Sequence, residues 1–469
     1  MSKTKTDEHS KKALKAGVWY TASSFLRKGI GFISGPIFVT LLTKKEYGIQ
    51  SNFAAWFSMA AVLCTLNLKS SVSRAKFDYE DNFDQYLSSI TFFGTASTAF
   101  FYFIVMLFQD FFVNLFGFDM IYIHVMFLEL LIAPSLDILQ AKHRIQQKYK
   151  VQVAISIFIS LSSTFVSLFM AYSCRNRLFG KIMGAEITNM VIYAVVFLYV
   201  MYKGRKLIDF NAWKYAAAYS VPMIPHLLSN NVLGSGDKMM ITKICGSEAN
   251  GMYSLAYQGG MIVATLMTCF NQAMVPWLFE KLHAKDYGII RKVNRYYMAG
   301  FSVIVLGSVL LAPEVRWILS LGKKDYAGTE MLVAPVMLGY GFKFAYTNYV
   351  NVEQYEKKTA LVTMGTFVAA GFNLITNAIF IPMFGYMAAA YTTCASFVVL
   401  LLMHYLICRK SGLTVMYDNK FNFIILAVMS TISFFIPFLY PYMIVRIVIA
   451  FIIGTITLAG MYKIKKAYF

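Results

Sequence analysis

Apolar residues in this chain gather into long blocks separated by short polar connections. The blocks run over about 14–42, 47–68, 87–108, 120–140, 151–173, 179–202, 212–243, 251–276, 296–312, 330–352, 359–380, 385–408, 420–438 and 442–462. A helix needs roughly 20 apolar residues to cross a bilayer, and most blocks are near that length. The pattern predicts an all-α polytopic membrane protein with about fourteen transmembrane helices, each boundary good to a few residues.

Polar residues inside these blocks are the next signal. The first block reads LKAGVWYTASSFLRKGIGFISGPIFVTLL and carries Arg27 and Lys28 near its middle. A charge at that depth costs from ~2.5 to ~17 kcal/mol, depending on how it is measured. At helical spacing the same block shows Tyr20, Ser23, Ser24, Arg27, Gly31, Ser34 and Gly35, a small and polar stripe. Such a stripe calls for water or a partner: either a cationic cavity wall, or a buried ion pair or packing seam. The seventh block is interrupted by Pro222, Pro225 and Gly234-Ser235-Gly236, each of which frees backbone groups. Its Tyr219, His226, Asn230, Gly234 and Asp237 recur on roughly one face. A bending gate and an ordinary kink both fit those breaks.

Other intramembrane charges are fewer. Lys343 lies mid-block, facing the bundle interior or a cavity. Glu129 and Asp137 are two helical turns apart on similar faces, placed to bind a coupling ion or proton or to pair with Arg27 or Lys28. Asp237 and Lys238, toward the outer end of the seventh block, suit a salt bridge or a substrate contact, and Asp237 joins the acidic candidates for a coupling ion. Arg74 and Lys69 close the second block, where they would meet a phosphate or simply follow the charge bias of loops. Arg446 and Glu186 sit near outer helix ends, and Arg446 is expected to snorkel.

Short matches recur about 205 residues apart. TKKEYGIQSNF pairs with SEANGMYSLAY (Gly48 with Gly251), QKYK with QYEK (Tyr149 with Tyr355), and RLFGKIMGA with PMFGYMAAA (Gly180 with Gly385). Their agreement predicts a duplicated six-helix unit, giving lobes at 1–210 and 211–412 and two additional helices at 413–469. An even number of spans keeps both copies in the same sense, as in transporters with parallel repeats. The duplication places Asn230 and Asn231 where the first copy has Arg27 and Lys28.

Composition agrees with the pattern: 58% hydrophobic and 14% charged residues, with a mean hydropathy of +0.57. The net charge of +20 does not point to nucleic acid, because the bases sit in short loops between spans. Counted in alternate loops, one side holds roughly 29 Lys and Arg and the other roughly 10, which predicts cytoplasmic termini. The polar start lacks a signal-peptide cleavage pattern. Six scattered cysteines form no CxxC pair, so neither metal nor disulfide framework is expected, and no cofactor. GxxxxGK[ST], HExxH and GxSxG are absent, which argues against an enzyme, and no loop is long enough for a catalytic domain.

The opening segment, with Thr43-Lys44-Lys45-Glu46-Tyr47-Gly48, resembles the start of polysaccharide transporters of the MOP exporter superfamily, the Wzx-type lipid-linked oligosaccharide flippases. GDKMMITKICGSEANGMYSLAY is similar to the same family, with Asp237, Lys238, Gly251 and Tyr253 in its pattern. Lys238 stands where Arg is commoner. The resemblance implies two six-helix lobes around a cavity that opens alternately to each side of a bacterial cytoplasmic membrane. The implied cargo is an undecaprenyl-diphosphate-linked glycan bound for surface polymers such as O-antigen or capsule. Membrane lipids, a polysaccharide polymerase and chain-length machinery would be the partners. Arg27 or Lys28 would then hold the diphosphate and Lys343 the same head or an acidic sugar, since Arg and Lys suit a desolvated doubly charged anion. A drug or cation antiporter of the same superfamily, or a non-transport scaffold in glycan assembly, are the alternatives.

Overall fold

The computed structural model describes residues 26–146 and 148–468, with side chains left aside at 359, 360 and 456–468. Tyr20, Ser23 and Ser24 of the first polar stripe lie outside the described residues. Among those described, the chain is helical without strands. Among the described residues nine helices are long and apolar enough to cross a membrane, or ten if one bent pair is a single span, where about fourteen are expected from the apolar blocks. The expected all-α polytopic membrane fold is therefore present.

The chain divides into two compact units, Met1–Asn231 and Val232–Phe469. In the first, α1 (26–41) leads into α2 (Lys44–Cys64), α3 (Val72–Asp78), α4 (Phe83–Leu107), α5 (Gln109–Phe116), α6 (Met120–Ile145), α7 (Tyr149–Ser173), α8 (Arg177–Gly204), α9 (Phe210–Ser220) and α10 (Ile224–Asn231). The Thr43–Glu46 turn is a capping box. Glu46 N–H donates to the Thr43 hydroxyl at 3.2 Å, and Thr43 N–H donates to the Glu46 carboxylate at 2.8 Å. Two orphan donors of α2 are thereby satisfied. That helix stops at Leu66 and Asn67, both left-handed at φ 52° and 49°, and the chain turns by 54° into the α3 segment. Asn67 holds the turn by donating to Ser70 Oγ at 2.6 Å. Asp209 caps α9 by accepting from Asn211 and Ala212 N–H, both at 3.1 Å.

In the second unit the order is α11 (Asp237–Cys245), α12 (Ser247–His283), α13 (Tyr287–Leu310), α14 (Ala312–Ser320), α15 (Glu330–Tyr355), α16 (Thr359–Phe384), α17 (Met387–Lys410), α18 (Asn419–Phe435) and α19 (Met443–Tyr468). Its core joins Tyr253, Phe301, Phe344, Leu401 and Met429, with the Phe301 and Phe344 rings stacked at 3.8 Å. Between lipid-facing helices such packing replaces the hydrophobic effect, because hydrocarbon tails are as apolar as the side chains they meet.

Helix order recurs in the two units: a short α5 lies between the long α4 and α6, and a short α14 between the long α13 and α15. Gly48 and Gly251 are both the fifth residue of their helices, α2 and α12. The other two matches are out of register. Tyr149 opens α7 whereas Tyr355 closes α15, and Gly180 is inside α8 whereas Gly385 is the left-handed turn before α17. A longer connection, including a 3₁₀ turn at Lys324–Tyr326, enters the second unit after α14 and shifts everything downstream.

Three expectations need correction. The basic run from Lys281 to Arg295 is not a loop: α12 extends to His283, and α13 starts at Tyr287, so Arg291, Lys292 and Arg295 are helical. The seventh block does break where its prolines and glycines fall, through a 3₁₀ turn at Val221–Met223 and a π turn at Val232–Gly236. Of its polar residues Tyr219, Asn230 and Gly234 are exposed and His226 half-buried, whereas Asp237, past a π turn that inserts an extra residue, is buried. Arg446 does not snorkel. It is 2% exposed, donating to Glu314 at 2.6 Å and to the Tyr440 carbonyl at 3.0 Å, which ties α19 to α14.

Candidate functional site

Each unit holds a buried carboxylate singled out by the sequence, Glu129 in the first and Asp237 in the second, in opposite surroundings; the second unit also buries Glu353, which pairs with His404. Asp237 opens α11 and is 2% exposed. Its carboxylate accepts from Tyr253 Oη at 2.6 Å, Thr393 Oγ1 at 2.6 Å and Asn377 Nδ2 at 2.7 Å. Around it Asn373 donates to Thr393 at 2.9 Å, Asn377 donates to Asn373 Oδ1 at 3.2 Å, and Thr392 donates to Asn377 Oδ1. Neutral groups, not Lys238, thus satisfy Asp237, contrary to the expected salt bridge. Lys238 is half-buried beside it. Three donors aimed at one carboxylate hold it in place and satisfy it without a cation, while a proton on Asp237 would force at least one of them to turn away. Among the described residues, no group of three or more His, Cys, Asp or Glu side chains could hold a metal ion.

Glu129, on α6 in the first unit, is also 2% exposed, yet its Oε2 has no hydrogen-bond partner. Its Oε1 receives a long bond from Asn189 Nδ2, 3.4 Å, and another polar neighbour is the Glu186 carboxyl. Two hollows of about 260 and 150 Å³ meet at this residue, sharing Phe57, Glu129 and Tyr193. One extends to Gln50, Lys181, Glu186 and Asn189; the other extends to Lys69 and Asp137. Glu129 and Asp137 therefore face one cavity, as their spacing predicts. Neither takes Arg27 or Lys28: Asp137 pairs with Lys69 at 2.7 Å. Lys181 rests its ammonium 3.7 Å from the centre of the Phe38 ring.

The remaining candidates scatter. Arg27 is exposed and Lys28 half-buried at the start of the described part of α1. Arg74 is exposed and paired with Asp78 at 3.4 Å, away from both hollows. Asn230 folds back on His226, and Asn231 donates to the Ser58 carbonyl at 3.0 Å, pinning α10 to α2. Lys343, on α15, lies over the Phe397 ring at 5.2 Å and joins no ion pair among the described residues. Lys181, Asn189, Tyr193, Asn377 and Thr393 were not singled out from the sequence. For Lys181 the signal was a lysine five residues into an apolar run, and for Asn373 and Asn377 an i, i+4 amide pair in a greasy span.

Outside the spans, Asp78 has its carboxyl held below the usual range by the Tyr215 hydroxyl at 2.5 Å, and secondarily by Arg74. Asp418 is lowered by the Phe421 N–H that it caps and by Arg295. Both are fasteners at the loop ends rather than site groups.

These helices have the fold of MOP-type membrane transporters. The structure matches "Lipid II flippase MurJ, inward closed conformation" with a TM-score of 0.73 at 13% identity, over 95% of this chain and 99% of that one. It matches an inward-facing multidrug resistance MATE family transporter of the MOP superfamily with a TM-score of 0.61 at 13% identity, over 84% and 95%. Residues 13–282 match the family model described as "Polysaccharide biosynthesis protein", and the chain belongs to that family. A curated relative, an "Uncharacterized membrane protein" of Haemophilus influenzae, is 24% identical over 246 residues, 48% of this chain and 60% of the relative's length.

Proposed function

We propose that this protein moves undecaprenyl-diphosphate-linked oligosaccharide repeat units across a bacterial cytoplasmic membrane by alternating access, for surface polysaccharide assembly. The observation that carries this reading is Lys343: a half-buried cation midway along α15, set over the Phe397 ring and joined to no carboxylate among the described residues. A charge withdrawn from water without a counterion is costly unless a ligand provides one. A lipid diphosphate provides two negative charges while its tail remains in hydrocarbon. Membership in the polysaccharide biosynthesis family supports that cargo.

In this reading the lobes at 1–210 and 211–412 rock against each other, with 413–469 as an addition, and both termini are cytoplasmic. Lys343, Arg27, Lys28 and Lys238 bind the diphosphate, Asn230 and Asn231 flank it, and Arg74 stands at the inner mouth. Asp237 binds the coupling ion or proton, and Asp137 is the acidic candidate for that role in the first unit. The flipped unit passes to a polymerase and chain-length machinery.

The test is the fate of undecaprenyl-linked sugar in a deletion strain complemented with wild type, Arg27→Ala or Lys343→Ala. Accumulation of the lipid-linked repeat on the inner leaflet, rescued by wild type alone, is expected. Losing the charge-assisted contact costs about 1.5–3 kcal/mol, roughly ten- to hundredfold in affinity for the diphosphate. A second reading, a cation or drug exporter, is favoured by the partnerless oxygen of Glu129. Normal surface glycan with altered sensitivity to cationic drugs would establish it instead.

A further inference from the structure

The cavity of the first unit contains an imbalance of donors and acceptors that restricts what fits. Glu129 Oε2 and Asn189 Oδ1 receive no hydrogen bond from an amide, hydroxyl or ammonium, and another polar neighbour of Glu129 besides Asn189 is a second carboxyl, Glu186. Leaving such groups unmet is costly, so the site is built for something that donates to them. Glu186 lines the same hollow and adds a second carboxylate. Lys181 lines it as well, its ammonium on the Phe38 ring.

That combination discriminates among ligands. A metal cation or cationic drug meets repulsion from Lys181, and a bare anion meets it from Glu129 and Glu186. A hydroxyl group meets neither, because it donates to a carboxylate or amide oxygen and accepts from an ammonium. Phe53, Phe57 and Tyr193 add flat apolar faces to the walls. The hollow of about 260 Å³ continues through Glu129 and Tyr193 into the second one, where the Lys69–Asp137 pair is about half exposed, so the groove has an open end.

We propose that this groove between α2, α6 and α8 is a subsite for one sugar ring, whose hydroxyls donate to Glu129 and Asn189 and accept from Lys181. The proposal rests on the reading of the protein as a carrier of lipid-linked glycans and names where the sugar, as opposed to the diphosphate, is read. Cations on other helices hold the phosphates; this groove holds the neutral, hydroxylated part. Glu129 then acts as a sugar ligand rather than as an ion relay.

The experiment compares lipids that differ only in the sugar. Full-length protein in nanodiscs of phosphatidylethanolamine and phosphatidylglycerol is titrated with undecaprenyl diphosphate, bare or bearing one glucose, one N-acetylglucosamine or one glucuronic acid. At least one glycosylated lipid is expected to bind about tenfold or more tightly than the bare lipid. Glu129→Leu should bring that ratio close to one while bare-lipid affinity stays unchanged. In parallel, Ala185→Cys is labelled with maleimide and read at that residue by peptide mass. The preferred glycosylated lipid should slow labelling, whereas bare lipid and sodium ion should not. This second measurement decides the matter if Glu129→Leu does not fold. No preference for any of the three sugars, a ratio that survives Glu129→Leu, or protection by sodium alone overturns the proposal. Failure of wild type to bind even bare undecaprenyl diphosphate overturns the carrier reading itself.

Discussion

The α7–α8 hairpin of the first unit and the α16–α17 hairpin of the second occupy corresponding places in the helix order, but they are fastened by different forces. In α7–α8 the fastening is shape. Gly184 sits so close to α7 that a Cβ added there would lie 2.7 Å from the Cα of Ser167, and Ser167 Oγ donates to the Lys181 carbonyl at 2.6 Å. In α16–α17 the fastening is polar: Asn373 bonds Thr393, Asn377 bonds Thr392, and both chains of bonds end on Asp237. Small residues let helices approach closely without placing polar atoms in lipid, whereas amide and hydroxyl pairs gain strength in a low dielectric but require every member to be matched. The unit with the polar hairpin has a satisfied carboxylate. The unit with the glycine hairpin keeps its carboxylate, Glu129, beside open space.

The largest expected effect tests that contrast directly. Asp237→Leu removes the acceptor for Tyr253, Thr393 and Asn377 and leaves three buried donors, at about 1–3 kcal/mol each. Glu129→Leu removes an unmet acceptor, so its stability change should lie within about 1 kcal/mol of zero. Thermal unfolding of the two variants in detergent should separate them by many degrees, and equal midpoints would break the comparison. Gly184→Ala comes next, with an expected loss of about 1–3 kcal/mol from overpacking. Gly371→Ala on α16, where nothing lies within 4 Å of the added carbon, should cost little or nothing in the same assay.

The smallest effect concerns pH. The folded-state carboxyl of Asp78 titrates below its unfolded value, so the stability it contributes is fully present above about pH 4 and is lost as pH falls through the folded value. Hydrogen exchange in α3 and α9 should therefore be flat from pH 8 to 5, after correction for intrinsic rates, and rise only in acid. Tyr215→Phe should weaken the acid-dependent rise by removing the hydroxyl that does most to hold the Asp78 carboxyl low, leaving the smaller part due to Arg74.

Local features were legible in the chain. Thr43 and Glu46 are three apart, the spacing a capping box needs, and the family motif there is that cap. Pro222, Pro225 and the glycines at 234 and 236 marked the breaks of the seventh rod, because a missing N–H or Cβ acts on the residues next to it. Arg446 misled, because snorkelling is the default for a cation near a helix end and Glu314 is 132 residues away in sequence. Asp237 was visible as a charge, but its partners Asn377 and Thr393 lie 140 and 156 residues off.

Sequence by itself determined that this protein is a bundle of membrane-spanning helices, where most of them start and stop, and that cations and carboxylates lie inside the bilayer. Those facts follow from runs of apolar residues and from caps, whose physics acts over a few neighbours. Tertiary structure alone decided that Asp237 is enclosed by hydroxyls and amides while Glu129 faces a cavity with an unmet oxygen. Satisfaction of a buried polar group depends on which distant helix brings a donor within 3 Å or so, and nothing in local spacing carries that information.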